Sequence, residues 1–165
     1  MNFIKTIATA ATAALCLLPV AAQAQQLEYW DEVGGWDVLV DPSLGYGCLI
    51  QAEYDNGTLV RIGFDLNEGA GYVTAYNYEW GDITEGAQYD VYLELDGQGY
   101  DAMATGIYLE DVPGADIYFT NPDFLWDLAA RHTLTLYNDV GEVMAIDLGG
   151  TMVALEEAMT CQDSQ

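Results

Sequence analysis

From Gly35 onward, apolar and polar residues alternate in short runs broken by glycine-bearing turns, the pattern of half-buried strands. Trp36, Val38 and Val40 share one face of a strand over 35–40. After a loop over 42–47, Cys48, Ile50, Ala52 and Tyr54 share one face of a second strand over 48–54. Asp55-Asn56-Gly57 then predicts a hairpin turn, because Asn-Gly tolerates positive φ, and Val60, Ile62 and Phe64 align on the returning strand over 59–64. A fourth strand is predicted over 72–77, with Tyr72 and Tyr76 on one face, followed by an irregular stretch over 78–86. The clearest alternation lies over 89–95, where Tyr89, Val91, Leu93 and Leu95 interleave with Asp90, Tyr92 and Glu94. Asp96-Gly97-Gln98-Gly99 turns into a strand over 100–109. Pro113-Gly114 predicts a further turn before a short strand over 116–119.

The period then changes. Thr120 or Asn121 is placed to cap a helix, Pro122 suits its first turn, and Asp123 favours the positive end of its dipole. Phe124, Leu125, Leu128 and Ala129 form its apolar stripe, up to Arg131. A hairpin over 133–137 and 142–148 turns at Asn138-Asp139-Val140-Gly141. Gly149-Gly150 ends it, and Thr151 is expected to cap a last helix carrying Met152, Leu155 and Met159. The order of elements predicts a mainly β chain: an antiparallel β-sandwich or open barrel with two short helices.

The first residues follow other rules. Met1 to Lys5 is short and basic, 6–21 is uncharged and mostly apolar, and Ala22-Gln23-Ala24 has the A-x-A form of a cleavage site. This is the layout of a secretory signal peptide over 1–24, which leaves a single β-rich domain over 25–165 in the periplasm or outside the cell. No later apolar run is long enough to span a membrane, so none is expected after cleavage. Cys16 lies in the leader. Cys48 and Cys161 remain as an even pair in an exported chain and are expected to form a disulfide that closes the fold. A closed loop of about 100 residues contributes roughly 4.7 kcal/mol in the chain-entropy account.

Charge narrows the partners. The chain carries a net charge of −24; without Lys5, Arg61 and Arg131 face 27 carboxylates. Such a field repels nucleic acid and anionic lipid, keeps a chain soluble, and attracts a basic protein or divalent cations.

Two stretches carry a family likeness. One is Gly34-Gly35-Trp36-Asp37-Val38, followed by Cys48-Leu49-Ile50-Gln51 and the Asn-Gly hairpin. The other is Leu134-Thr135-Leu136-Tyr137, then 141–148, then Gly150-Thr151-Met152-Val153-Ala154-Leu155. They resemble the invasion-associated locus B family of bacterial exported proteins, and the tail is similar to that of small alphaproteobacterial periplasmic proteins. The resemblance implies a periplasmic β-sandwich and brings no catalytic motif with it. The family's extra cysteines are missing here.

The catalytic inventory is thin. His132 is the single histidine, at a helix end where a cation is favourable, and Ser43 and Ser164 lack a nucleophile-elbow context. No cofactor and no metal centre is expected; Asp65-Leu66-Asn67-Glu68-Gly69 opens like a calcium loop but lacks its closing glutamate and reads as a polar hairpin. The better lead is aromatic. Tyr76, Tyr78 and Trp80, with Glu79 and Asp82 at the rim, are expected to form a contact patch where the strand breaks into irregular chain. These features predict a non-enzymatic exported binding module for a basic protein or an envelope component. The alternatives are a structural or stress-related envelope protein without a specific ligand and a carboxylate-dependent hydrolase.

Overall fold

The computed structural model describes residues 26–81 and 83–165, so the expected leader over 1–24 and Asp82 lie outside the described residues. Ten strands form one antiparallel sheet: β1 (Glu28–Val33), β2 (Trp36–Asp41), β3 (Gly47–Glu53), β4 (Leu59–Asp65), β5 (Ala70–Tyr76), β6 (Gln88–Leu95), β7 (Gln98–Leu109), β8 (Val112–Phe119), β9 (Thr133–Tyr137) and β10 (Glu142–Asp147). Helix α1 (Phe124–Ala129) precedes β9, and α2 (Thr151–Gln162) follows β10. The spatial order is β1-β2-β3-β4-β5-β8-β7-β6-β9-β10. The chain leaves β5 along residues 77–87, enters β6 further across the sheet, and returns through β7 to lay β8 beside β5.

The sheet curls without closing. Strands β3 and β10 lie seven positions apart, which on a flat sheet is roughly 34 Å at about 4.8 Å per strand. Yet the Tyr54 hydroxyl just beyond β3 donates to the Asp147 carbonyl at 2.7 Å, and the Trp36 indole N–H donates to the Gly149 carbonyl at 3.1 Å. The turns Gly34 and Gly150, both at positive φ, meet so closely that a Cβ on Gly34 would stand 2.9 Å from the Gly150 carbonyl oxygen. Of the two expected architectures, the open barrel is the one adopted.

One face of every strand from β2 to β10 points into a common apolar core. Alternation fixes which residues do so: Val38, Ile50, Ile62, Val73 and Ile117 lie side by side across five strands. Helix α2 packs on β2 and β3 through Ala154, Leu155, Ala158 and Cys161, all fully buried. The Cys48–Cys161 disulfide is formed, with Cα atoms 6.2 Å apart, and clamps the helix to β3. The Gln162 side chain accepts the Cys48 N–H at 2.9 Å beside it.

Four local expectations are corrected. Strand β1 was not expected, because its residues are almost all exposed and carry no period-two apolar pattern. Pro113-Gly114 lies inside β8 rather than in a turn. The reversal comes earlier, at Glu110 (φ 54°), and Gly114 is the space into which the Tyr76 ring packs. Thr151 does not cap α2. Gly150 holds the cap position at φ 78°, and the Thr151 hydroxyl is buried without a hydrogen-bond partner. At α1 the cap position falls on Asp123, which makes no side-chain cap bond, so neither Thr120 nor Asn121 caps the helix; the Asn121 side chain accepts the Asp123 N–H at 3.1 Å, one turn earlier.

Candidate functional site

The concave face is filled unevenly. Along one cross-strand row the inward residues are Ala52, Val60, Ala75, Ala115 and Gly106, so side-chain volume falls from β4 toward β7. Helix α2 covers the β1–β3 side and does not reach this end. The result is an apolar cleft of roughly 590 Å³, floored by Ala104, Gly106 and Ala115. That volume is in the range of ligand-holding clefts.

Its two walls differ in origin: one is irregular chain after β5, the other the β9–β10 hairpin. On one side the chain leaves β5 at Asn77, which is buried and held from several directions. Its side chain donates to the Thr58 hydroxyl at 2.8 Å and accepts the Glu79 N–H at 2.7 Å, while its own N–H donates to the Pro113 carbonyl at 3.0 Å. The 3-10 turn that follows turns Tyr78 and Glu79 outward, Tyr78 being 75% exposed, and Trp80 into the cleft wall. Ile83 then lies against Gly106, where a Cβ would strike the Ile83 side chain. The Tyr108 hydroxyl donates to the Ile83 carbonyl at 2.6 Å, and Gly86 and Ala87 pair with the Gly106 backbone, which straps this segment to β7. The opposite wall is the β9–β10 hairpin, with Leu136 and Val143 facing in and Glu142 exposed at the mouth. Asn138 shapes that hairpin by accepting the Val140 and Gly141 N–H groups at 2.9 and 3.0 Å.

Of the sequence-predicted patch, the structure brings Tyr78, Glu79 and Trp80 together on one turn. Tyr76 is placed apart from them. It shares the convex face with Tyr72 and Thr74, buried over Gly114, with the Arg61 guanidinium 5.6 Å from its ring centroid. Burial raises its hydroxyl pKa, and Arg61 works against that rise. The strand alternation that put Tyr72 and Tyr76 on one face thus directs Tyr76 away from the cleft. Ile83, Leu136, Glu142 and Val143 were missed. The one signal for them in the sequence was the run of alanine and glycine where β7 and β8 would otherwise carry large inward residues.

The convex face behind the cleft is polar and tightly packed. Arg61, Thr74, Asp116 and Thr105 stand in one cross-strand row. The Thr74 hydroxyl donates to Asp116 at 2.6 Å, and the Arg61 Nε donates to Gln51 at 2.8 Å, away from the carboxylate. Burial, with the Asp65 charge nearby, pushes the Asp116 carboxyl up to about 6 against the lowering effect of Thr74. Tyr72 stacks on Tyr118 at 5.9 Å, and the Tyr118 hydroxyl donates to Asp65 at 3.0 Å. Asp65 also accepts the N–H groups of Asn67 and Glu68 at 2.9 and 3.2 Å, so the loop that opens like a calcium site is a self-satisfied turn. The Ser43 hydroxyl donates a hydrogen bond to the Asp41 carboxylate in the β2–β3 turn. His132 is exposed between α1 and β9. Its backbone N–H and that of Thr133 bond the Asp96 carboxylate and hold that carboxyl below its ordinary range.

No family model matches the chain, and no curated protein matches it. Among solved structures it is similar to invasion associated protein B from Bartonella henselae, with a TM-score of 0.60 and 14% sequence identity, over 81% of this chain and 97% of that one. At that identity the likeness is one of fold alone: this chain has a fold similar to that of invasion associated protein B.

Proposed function

We propose that this chain is an exported, non-enzymatic binding module, and that its cleft receives an apolar side chain of a basic protein or of an envelope component. The observation that carries the reading is the cleft itself. It is an apolar concavity with a half-buried tryptophan in its wall, small residues on its floor and Glu142 at its mouth. Trp is the residue most often found anchoring such contacts. The charge of the chain favours a cationic partner: the two arginines beyond the leader lie elsewhere, Arg61 on the convex face and Arg131 against Gln98. Export is supported by the leader pattern over 1–24 and by a fully buried disulfide, a bond that persists in oxidising compartments. No helix among the described residues is long and apolar enough to cross a membrane. The non-enzymatic reading rests on the occupied partners of Ser43 and on an exposed His132 set apart from it.

Calorimetry with a short peptide of alternating lysine and leucine tests the reading. Binding should be strong at low salt, weak at high salt and absent for the glutamate–leucine analogue. Trp80→Ala should weaken it by roughly 2 kcal/mol or more. Binding that ignores salt, or that survives Trp80→Ala intact, would favour the structural envelope protein instead. Mass spectrometry of exported material should show a mature chain beginning at Gln25.

A further inference from the structure

The cleft opens beside a sheet edge, and the two edges of this sheet differ. At one edge, β1 carries Glu28, Asp31 and Glu32 along its length, with a bulge between Tyr29 and Asp31. Charges and bulges are how proteins keep an edge from pairing. The other edge, β10, also has a bulge, between Glu142 and Met144, but its acids stand only at its ends, Glu142 and Asp147, with Val143-Met144-Ala145-Ile146 between them.

The backbone directions on β10 follow from two hydrogen bonds. The Leu148 N–H donates to the His132 carbonyl at 2.8 Å, so the main-chain groups of Leu148 face β9. By antiparallel alternation those of Ile146 face β9 too, and those of Asp147 and Ala145 face away. The Tyr54 hydroxyl meets the Asp147 carbonyl on that outward side. The Ala145 N–H and C=O and the Asp147 N–H therefore point outward from a strand that, among the described residues, pairs with β9 alone. The bulge between Glu142 and Met144 lies at the cleft end of this edge, where Val143 forms part of the cleft wall.

We infer that the partner enters as an extended, basic chain segment that adds a strand to the free edge of β10 and sets one apolar side chain in the cleft. Main-chain bonds to the Ala145 N–H and C=O hold it, since Tyr54 already covers the edge at Asp147, and Glu142 faces its cationic residues. A second copy of this chain is the poorer occupant, since it brings a charge of −24 against −24. The inference rests on the cleft reading above and adds the mode of binding.

The test uses the unaltered protein, with the lysine–leucine peptide and the same peptide N-methylated at every other residue. In the free protein the Ala145 amide should exchange quickly with solvent, and the Met144 and Ile146 amides slowly. The peptide should slow Ala145 exchange by roughly tenfold or more. N-methylation should weaken binding by about tenfold. If the N-methylated peptide binds within about twofold, or Ala145 exchange stays unchanged under saturating peptide, strand addition is wrong and the cleft reading stands. If neither peptide binds, both readings fail.

Discussion

The concave face of this sheet has two halves that were built from the same alternating strands and came out differently. On the β2–β3 side, strands with large inward residues such as Trp36 and Ile50 are covered by α2, which a buried disulfide holds in place. On the β5–β8–β7 side the inward residues shrink to Ala75, Ala115, Ala104 and Gly106, and a cleft is left where a helix would otherwise sit. A face becomes core or binding surface according to the volume its strands present and what the chain lays over it, even where the period of the pattern is identical. The cleft half has a further cost on its back, where the Asp116 carboxylate is half buried with Thr74 as its hydrogen-bond donor.

The two tryptophans separate these halves most sharply. Trp36→Ala empties a fully packed site and removes the bond to Gly149, and should lower stability by about 3–5 kcal/mol in chemical denaturation. Trp80→Ala, in the cleft wall, should cost about 1 kcal/mol and act chiefly on binding. Equal losses would show that both halves are core. The disulfide comes next. Replacing Cys48 and Cys161 together by alanine should cost about 2–4 kcal/mol, with the cleft side losing hydrogen-exchange protection no sooner than α2 does.

Filling tests the same contrast from the other direction. Ala154→Leu forces extra volume between α2 and the sheet and should destabilise by about 1–3 kcal/mol. Ala115→Leu extends into the open cleft and should leave stability within about 1 kcal/mol while abolishing peptide binding. The smallest effect is the pH dependence of the convex face. The Asp116 carboxyl titrates near 6 in the folded chain, against an ordinary value of 3.8. Above pH 6 the ionised group opposes folding. As the pH falls through 6 toward 3.8, the folded chain takes up a proton that the unfolded chain does not, and this opposition is lifted. Asp116→Asn should therefore stabilise the protein by about 1 kcal/mol near neutral pH, an advantage that fades as the pH drops to 3.8, measured by denaturation across that range.

Much of this architecture was legible in the residues. Alternation located nine of the ten strands, including 133–137 as β9 to the residue, because a strand half in the core and half in water must alternate. The Cys48–Cys161 bond followed from there being two cysteines after the expected leader over 1–24. Strand β1 escaped because it buries so little that no pattern was needed, and the Thr151 cap failed because a closer glycine could take the left-handed position.

The sequence by itself therefore determined nine of the ten strands, which face of each of these is apolar, and which cysteines pair, since these depend on local period and on composition. Only the tertiary structure decided that β8 lies beside β5, that Tyr76 and Trp80 end on opposite faces, and that small residues from β7 and β8 meet at one end of the curl to leave a cleft. Those outcomes depend on strand order and register between segments far apart in the chain. The local period sets which way each side chain points and carries no information about which strand lies next to it.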